Sequence, residues 1–415
     1  MDKSKVETSV GMSRNWDARE AGREVARSTI EKLNSPPNFL LLFSTIHYEK
    51  HGGFEEFLNG VWDVLPSGTP LVGGTVAGFM NNQGCYTRGA VALAISNPSI
   101  NVAIGVGRDT KRNPIHAVKK CVEMINKQNR KIDFYFEFVS GPIIPTFPGM
   151  GKRTVIKSKI TGNLMLKAIP TLFKANMGTD RADELLDNLV CCINNPLIGA
   201  VCYDDGKLSK NYQFYNKEIL KNAILLLGIS SDFKPEFQTV TALKPRGIKI
   251  KVEVEGDGRT VKKINGKSAS SELFKVLNWK EISIRKVEKF YSQAFYYPFC
   301  YHKKDKIHAA MLGLILGENI YFANKLESNE LELFGLTGNK IISESKKIFS
   351  KESKFIYGVI CETYIETLGS NIYKIKDIID SSTKEYLFLF AGGESIVNED
   401  MISHHLYESI NILRI

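Results

Sequence analysis

Nothing in this chain of 415 residues approaches the run of about 18 apolar residues that crosses a membrane as a helix. The opening stretch, MDKSKVETSVGMSRNWDARE, has no apolar centre and does not read as a secretory signal. Cysteine is sparse: Cys85, Cys121, Cys191, Cys192, Cys202, Cys300 and Cys361, with no Cys-x-x-Cys pair. An odd, scattered set points to reduced thiols in a cytoplasmic protein, not to a disulfide framework or a zinc ribbon. Histidine numbers only 7, and neither His-Glu-x-x-His nor Cys-x-x-Cys-His occurs. The common zinc-protease and haem-attachment signatures are therefore missing. PGMGKRT fails as a phosphate loop, because Thr146 stands where the first glycine belongs and Arg153 follows Lys152. GVGRDT, residues 105–110, lacks the third glycine of a dinucleotide fingerprint.

What is present is an ordinary globular composition, 43% hydrophobic and 24% charged, with length enough for two or three domains. The net charge of +10 is dispersed. Its densest cluster, Lys152, Arg153, Lys157 and Lys159, has no interleaved aromatics to stack bases. A solvated basic surface is expected, without a nucleic-acid or membrane partner.

Along the chain, DAREAGREVARSTIEKL and FEEFLNGVWDVL repeat at helical spacing, and NFLLLFS reads as a buried strand. LVGG, AVALAIS, NVAIGVG and DFYFEFVS are further strands, with a helix over His116–Lys127. GIKIKVEVEGDGRTVKKI is a hairpin turning at Gly256-Asp257-Gly258. Residues 141–162, rich in proline and glycine, read as a long loop, a lid or a docking surface. Cys191 and Cys192 close an apolar helix, which assigns them to packing. His404 and His405, as strand neighbours, point to opposite faces, and solvated side chains are expected.

One plan recurs three times: strand, helix, Gly-bearing strand, polar loop, strand. It runs from NFLLLF through PLVGGTVAGF, from DFYFEF through PLIGAVCYDDG, and from FIYGVI through YLFLFAGGES. Two strand pairs also precede their next strands at similar distances, 43 positions from Val91 to Phe134 and 44 from Leu312 to Ile356. That spacing suggests two related halves joined near Ser231, residues 1–232 and 233–415. The expected fold is α/β: two related modules of mixed, largely antiparallel sheet flanked by helices, a layered sandwich.

These segments resemble the FIST family, which pairs an N-terminal with a C-terminal module. PLVGGTVAGF resembles its opening Gly-Gly element at Gly73, Gly74, Thr75 and Gly78. PLIGAVCYDDGKLSKNYQFYN is similar to its central block at Asp204, Asp205, Gln213, Phe214 and Asn216, with Ala200 where a second glycine is usual. VKKINGKSASSEL resembles another segment at Asn265, Gly266, Lys267 and Ala269. VICETYIETLG matches the cysteine segment at Cys361, without the basic residue that commonly follows, and LFAGGES matches the final Gly-Glu element at Gly393 and Glu394. His404 and His405 stand where relatives carry a His-Asn-Gln-Thr run. The resemblance covers about residues 14–415 and implies an intracellular sensory module for small molecules, with amino acids or derivatives as proposed ligands and haem in some bacterial members. An unknown signalling partner would receive the output.

The residues themselves support a ligand reading at the recurrent glycines. Gly73, Gly74, Gly78, Gly199, Gly392 and Gly393 follow apolar strands, where exposed N–H groups can hold an anion and close backbone approach is allowed. A packing turn explains each glycine equally well. Tyr203, Asp204, Asp205 and Glu394 could receive an ammonium group, which suits a zwitterionic amino acid. The expected ligand set is thus Gly73, Gly74, Thr75, Gly78, Tyr203, Asp204, Asp205, Cys361, Gly392, Gly393 and Glu394, between the halves, with no catalysis. The alternatives are a haem-based gas sensor with a histidine or cysteine axial ligand, a protein-interaction adaptor, and a hydrolase using Cys85 or Cys361 with His47, His51 or His404 as base.

Overall fold

The computed structural model describes residues 6–146, 154–277, 294–304 and 306–415. Three six-stranded sheets share one design. The first runs Glu7–Ser13, Ala90–Ser96, Phe39–Ser44, Leu71–Thr75, Gln213–Tyr215, Glu218–Leu220. The second runs Asn101–Arg108, Ala223–Ser230, Phe134–Ser140, Leu197–Cys202, Glu394–Val397, Ser403–Leu406. The third runs Glu236–Thr241, Ser409–Arg414, Ile356–Cys361, Tyr386–Ala391, Gly78–Asn81, Gly84–Tyr86. In each, one parallel pair sits at the centre and every other pairing is antiparallel. In each, the terminal hairpin comes from another repeat: the first sheet borrows from the second segment, the second from the third, and the third from the first.

The apolar strands are continuous because both faces are covered. Phe39, Leu41 and Phe43 enter a core shared by all three sheets, while Leu40 and Leu42 meet the helices Ala18–Ile30 and Gly53–Trp62. Phe43 and Phe138 lie 5.1 Å apart in that core, and Phe136 and Tyr357 also 5.1 Å. The helices Pro114–Asn126 and Ala182–Leu189 cover the second sheet, and Gly338–Ile348, Thr363–Leu368 and Ile372–Asp380 the third.

A nine-stranded sheet is inserted in the third repeat, between Glu236–Thr241 and Gly338–Ile348. It contains the hairpin around Gly256–Gly258 and takes Val155–Ile156 from the second repeat, parallel to Leu312–Leu316.

The fold is thus mixed α/β with mostly antiparallel strands, and the plan read three times in the sequence occurs three times. The spacing match between Val91 and Leu312 does not reflect equivalence. Val91 lies in a strand of the first sheet, whereas Leu312 lies in the inserted sheet. The boundary near Ser231 falls between Ala223–Ser230 and Glu236–Thr241, and two of the three exchanged hairpins pair across it. The loop expected over 141–162 is shorter, because a strand forms at Val155–Ile156 and the helix Lys159–Lys174 begins inside it. Ser158 caps that helix by accepting from the Thr161 N–H. Lys152 and Arg153, the core of the basic cluster, lie outside the described residues.

Candidate functional site

The parallel pairs Phe134–Ser140/Leu197–Cys202 and Ile356–Cys361/Tyr386–Ala391 end at one cavity of about 130 Å³. Crevices beyond the carboxyl ends of parallel strands are habitual ligand sites. Tyr203, Glu362 and Gly392 line it directly past three of these strands. The helix Lys159–Lys174 supplies an apolar wall through Met165, Ile169, Leu172 and Phe173. The inserted sheet supplies further wall through Leu312, Leu314 and Tyr321, with Met311 just before Leu312. Both halves of the chain therefore contribute.

Two acids, Asp180 and Glu362, are in the lining, which among the described residues contains no Lys, Arg or His. Burial pushes the Glu362 carboxyl up to about 7, with Glu366 adding to the rise. Behind the wall, Glu394 and Glu408 are fully enclosed. Glu394 Oε2 accepts from Ser409 at 2.8 Å and Glu408 Oε2 accepts from Thr363 at 2.6 Å, while the second oxygen of each has no partner among the described residues. Burial lifts Glu408 to about 8 and Glu394 well above the usual carboxylate range. Cys361 lies against both acids; burial and then their charges push its thiol up. The Tyr407 hydroxyl, in the lining too, has no hydrogen-bond partner among the described residues.

Of the expected residues, Tyr203, Cys361 and Gly392 line the cavity, and Glu394 sits behind Cys361. Gly393 touches His405 and Val201; a Cβ there would meet the His405 ring at 3.0 Å. Gly392 gives room to Tyr203, whose ring would lie 2.4 Å from a Cβ. Gly73, Gly74, Thr75 and Gly78 are elsewhere, inside strands or beside them. A Cβ on Gly73 would meet the Leu42 carbonyl oxygen at 1.9 Å, and one on Gly74 the Tyr212 carbonyl oxygen at 2.5 Å, so close strand packing accounts for both. The Thr75 hydroxyl accepts from the Tyr212 N–H at 3.1 Å. Asp204 closes its own loop, accepting from the N–H groups of Leu208 at 2.9 Å and Ser209 at 2.7 Å. Asp205 pairs with Lys207.

Glu362, Thr363, Glu408, Tyr407 and Asp180 were not in the expected set. Only Glu362 and Thr363 carried a signal, by adjacency to Cys361. Two further expectations change. Cys191 and Cys192 are exposed and do not pack. His404 and His405 are not solvated: His404 is buried against His308, nitrogen to nitrogen at 2.8 Å, and burial lowers the His405 pKa. All seven thiols are free, and the described residues contain no cluster suited to a metal ion.

The cavity does not fit a haem. Among the described residues its lining has no histidine, and the Cys361 thiol there is pushed up by burial and neighbouring acids, opposite to the thiolate an axial ligand requires.

The fold is thus a mixed α/β architecture of three related six-stranded sheets and one inserted sheet, with a largely apolar cavity beyond the ends of two parallel strand pairs. The sequence pattern of the FIST N domain matches residues 1–107 and 38–267, and the chain belongs to the FIST family of signal-transduction sensory domains. No curated protein matches it. Among solved structures it is similar to a cyanuric acid hydrolase from A. caulinodans at 8% identity and a TM-score of 0.27, over 56% of this chain and 73% of that one. No helix among the described residues is long and apolar enough to cross a membrane.

Proposed function

We propose that the protein is a non-catalytic intracellular sensor whose ligand is a small molecule with an apolar body and an ammonium group, such as an apolar amino acid or its amine derivative. The observation that carries this reading is the cavity lining: apolar walls, the acids Asp180 and Glu362, and no cationic side chain among the described residues. An apolar body gains from leaving water, and an ammonium compensates a carboxylate that burial otherwise keeps protonated. Cys361 supports the absence of catalysis, since its thiol is pushed up and has acids rather than a base beside it. Calorimetric titration with 2-phenylethylamine, L-phenylalanine and phenylacetate tests the reading. Affinity should fall in that order; preference for phenylacetate would overturn it.

A further inference from the structure

The third parallel pair, Phe39–Ser44 with Leu71–Thr75, also ends at a pocket, separate from the acidic cavity and of opposite electrostatic character. It measures about 450 Å³ and is lined by Thr45, His47, Lys50, His51, Val76 and Arg88, facing the segment from Asp204 to Lys210. Its carboxylates are already satisfied. Glu49 accepts from Tyr212 at 2.6 Å and from Lys210 at 2.7 Å, Asp205 pairs with Lys207, and Asp204 closes its loop. Lys50 and Arg88 make no ion pair among the described residues, which leaves the pocket net positive. Trp16, 55% exposed, stands at its rim with the Arg88 guanidinium 3.7 Å from its ring centre and the His51 ring 4.9 Å away.

Contact lengths assign the His47 tautomer. Thr45 Oγ1 accepts from the Gly89 N–H at 3.2 Å and has one hydrogen to give. The His47 Nδ1 contact at 2.6 Å outcompetes the Gly89 carbonyl at 3.4 Å. Nδ1 is thus the acceptor, and Nε2 carries the hydrogen in a ring that burial, then Arg88 and His51, keep neutral with a pKa of about 4. That Nε2 and one Arg88 Nη are buried without a partner among the described residues. Two unmatched donors on neighbouring residues of a net positive pocket call for an acceptor with negative charge.

We propose that this pocket binds an oxyanion, the carboxylate or phosphate group of a small metabolite, between His47 and Arg88. The full chain, with histidines labelled at 13Cε1, is titrated at pH 7 and constant ionic strength with inorganic phosphate and separately with acetate. The His47 signal is identified by its loss in His47→Gln. The expected result is a saturable shift of that signal, weakened at least about tenfold in Arg88→Gln. Whichever anion saturates at the lower concentration names the group. Unchanged His308 and His404 signals report an intact fold. Should Arg88→Gln disturb them, the exposed variant Lys50→Gln decides, with an expected weakening of roughly two- to fivefold. No saturable shift with either anion, or wild-type affinity in the deciding variant, overturns the proposal.

Discussion

Thr363 donates its hydroxyl hydrogen to Glu408 at 2.6 Å. Thr363 stands in the cavity wall, and Glu408 is fully enclosed behind it. The same hydroxyl lies 3.1 Å from the Cys361 sulfur, but it has one hydrogen and the shorter contact to the acid takes it. The enclosed acid Glu408 thus holds the Thr363 side chain of the cavity wall from behind.

Thr363→Val keeps the side-chain shape and removes the donor. It leaves Glu408 with both oxygens unpaired, which costs about 1–3 kcal/mol. Urea denaturation should show a lower midpoint with an unchanged slope. An unchanged midpoint would mean that the bond contributes nothing.

The buried acids predict a pH effect. Glu408, lifted to about 8, and Glu362 and Glu137, each lifted to about 7, bind protons in the folded state that the unfolded chain has released. Their stabilising contribution is full below about pH 4.5 and is lost as pH rises through the folded values. His47, lowered to about 4, acts oppositely up to its ordinary value, and Lys111, lowered to about 7, acts oppositely above it. The clean observable is a difference. Between pH 5 and 7, Glu408→Gln should lose stability with pH less steeply than the wild type, by on the order of 1 kcal/mol per pH unit. Parallel slopes would show that Glu408 titrates normally.

Ala323 lies in the cavity lining. Ala323→Phe should project a ring into the space and abolish binding of 2-phenylethylamine, at a stability cost of about 1–3 kcal/mol. Calorimetry and thermal denaturation separate the two effects. Retained affinity in a folded variant would place the ligand elsewhere.

Asp204 is engaged by its own loop, so Asp204→Asn should lower stability by roughly 1–3 kcal/mol while leaving affinity for the cavity ligand unchanged. A loss of affinity without a loss of stability would instead make Asp204 a direct ligand contact.

The repeated architecture was legible because strands buried on both faces leave continuous apolar runs, as in FLLLFS and YLFLFA. The exchange of hairpins was not, since Gly78–Asn81 carries nothing that names Tyr386–Ala391 as its neighbour. The helix Lys159–Lys174 was hidden by the prolines and glycines before it and by Pro170 within it, although Met165, Ile169, Leu172 and Phe173 keep helical spacing. In the site, Cys361, Tyr203, Gly392 and Glu394 could be reached from local motifs. Glu408 could not, because its role depends on burial and on a partner 45 residues away. Gly73 and Gly74 stood out in the sequence, yet their neighbours are strand carbonyls.

The most direct test of the ligand-binding account is the native mass of gently purified protein against its denatured mass, for the wild type and for Ala323→Phe. The account predicts a discrete non-covalent adduct on the wild type that the variant lacks, with a mass that identifies an apolar amine or amino acid. A wild type without adduct that also gives no heat with the three probes, or an adduct that persists in Ala323→Phe, would contradict it.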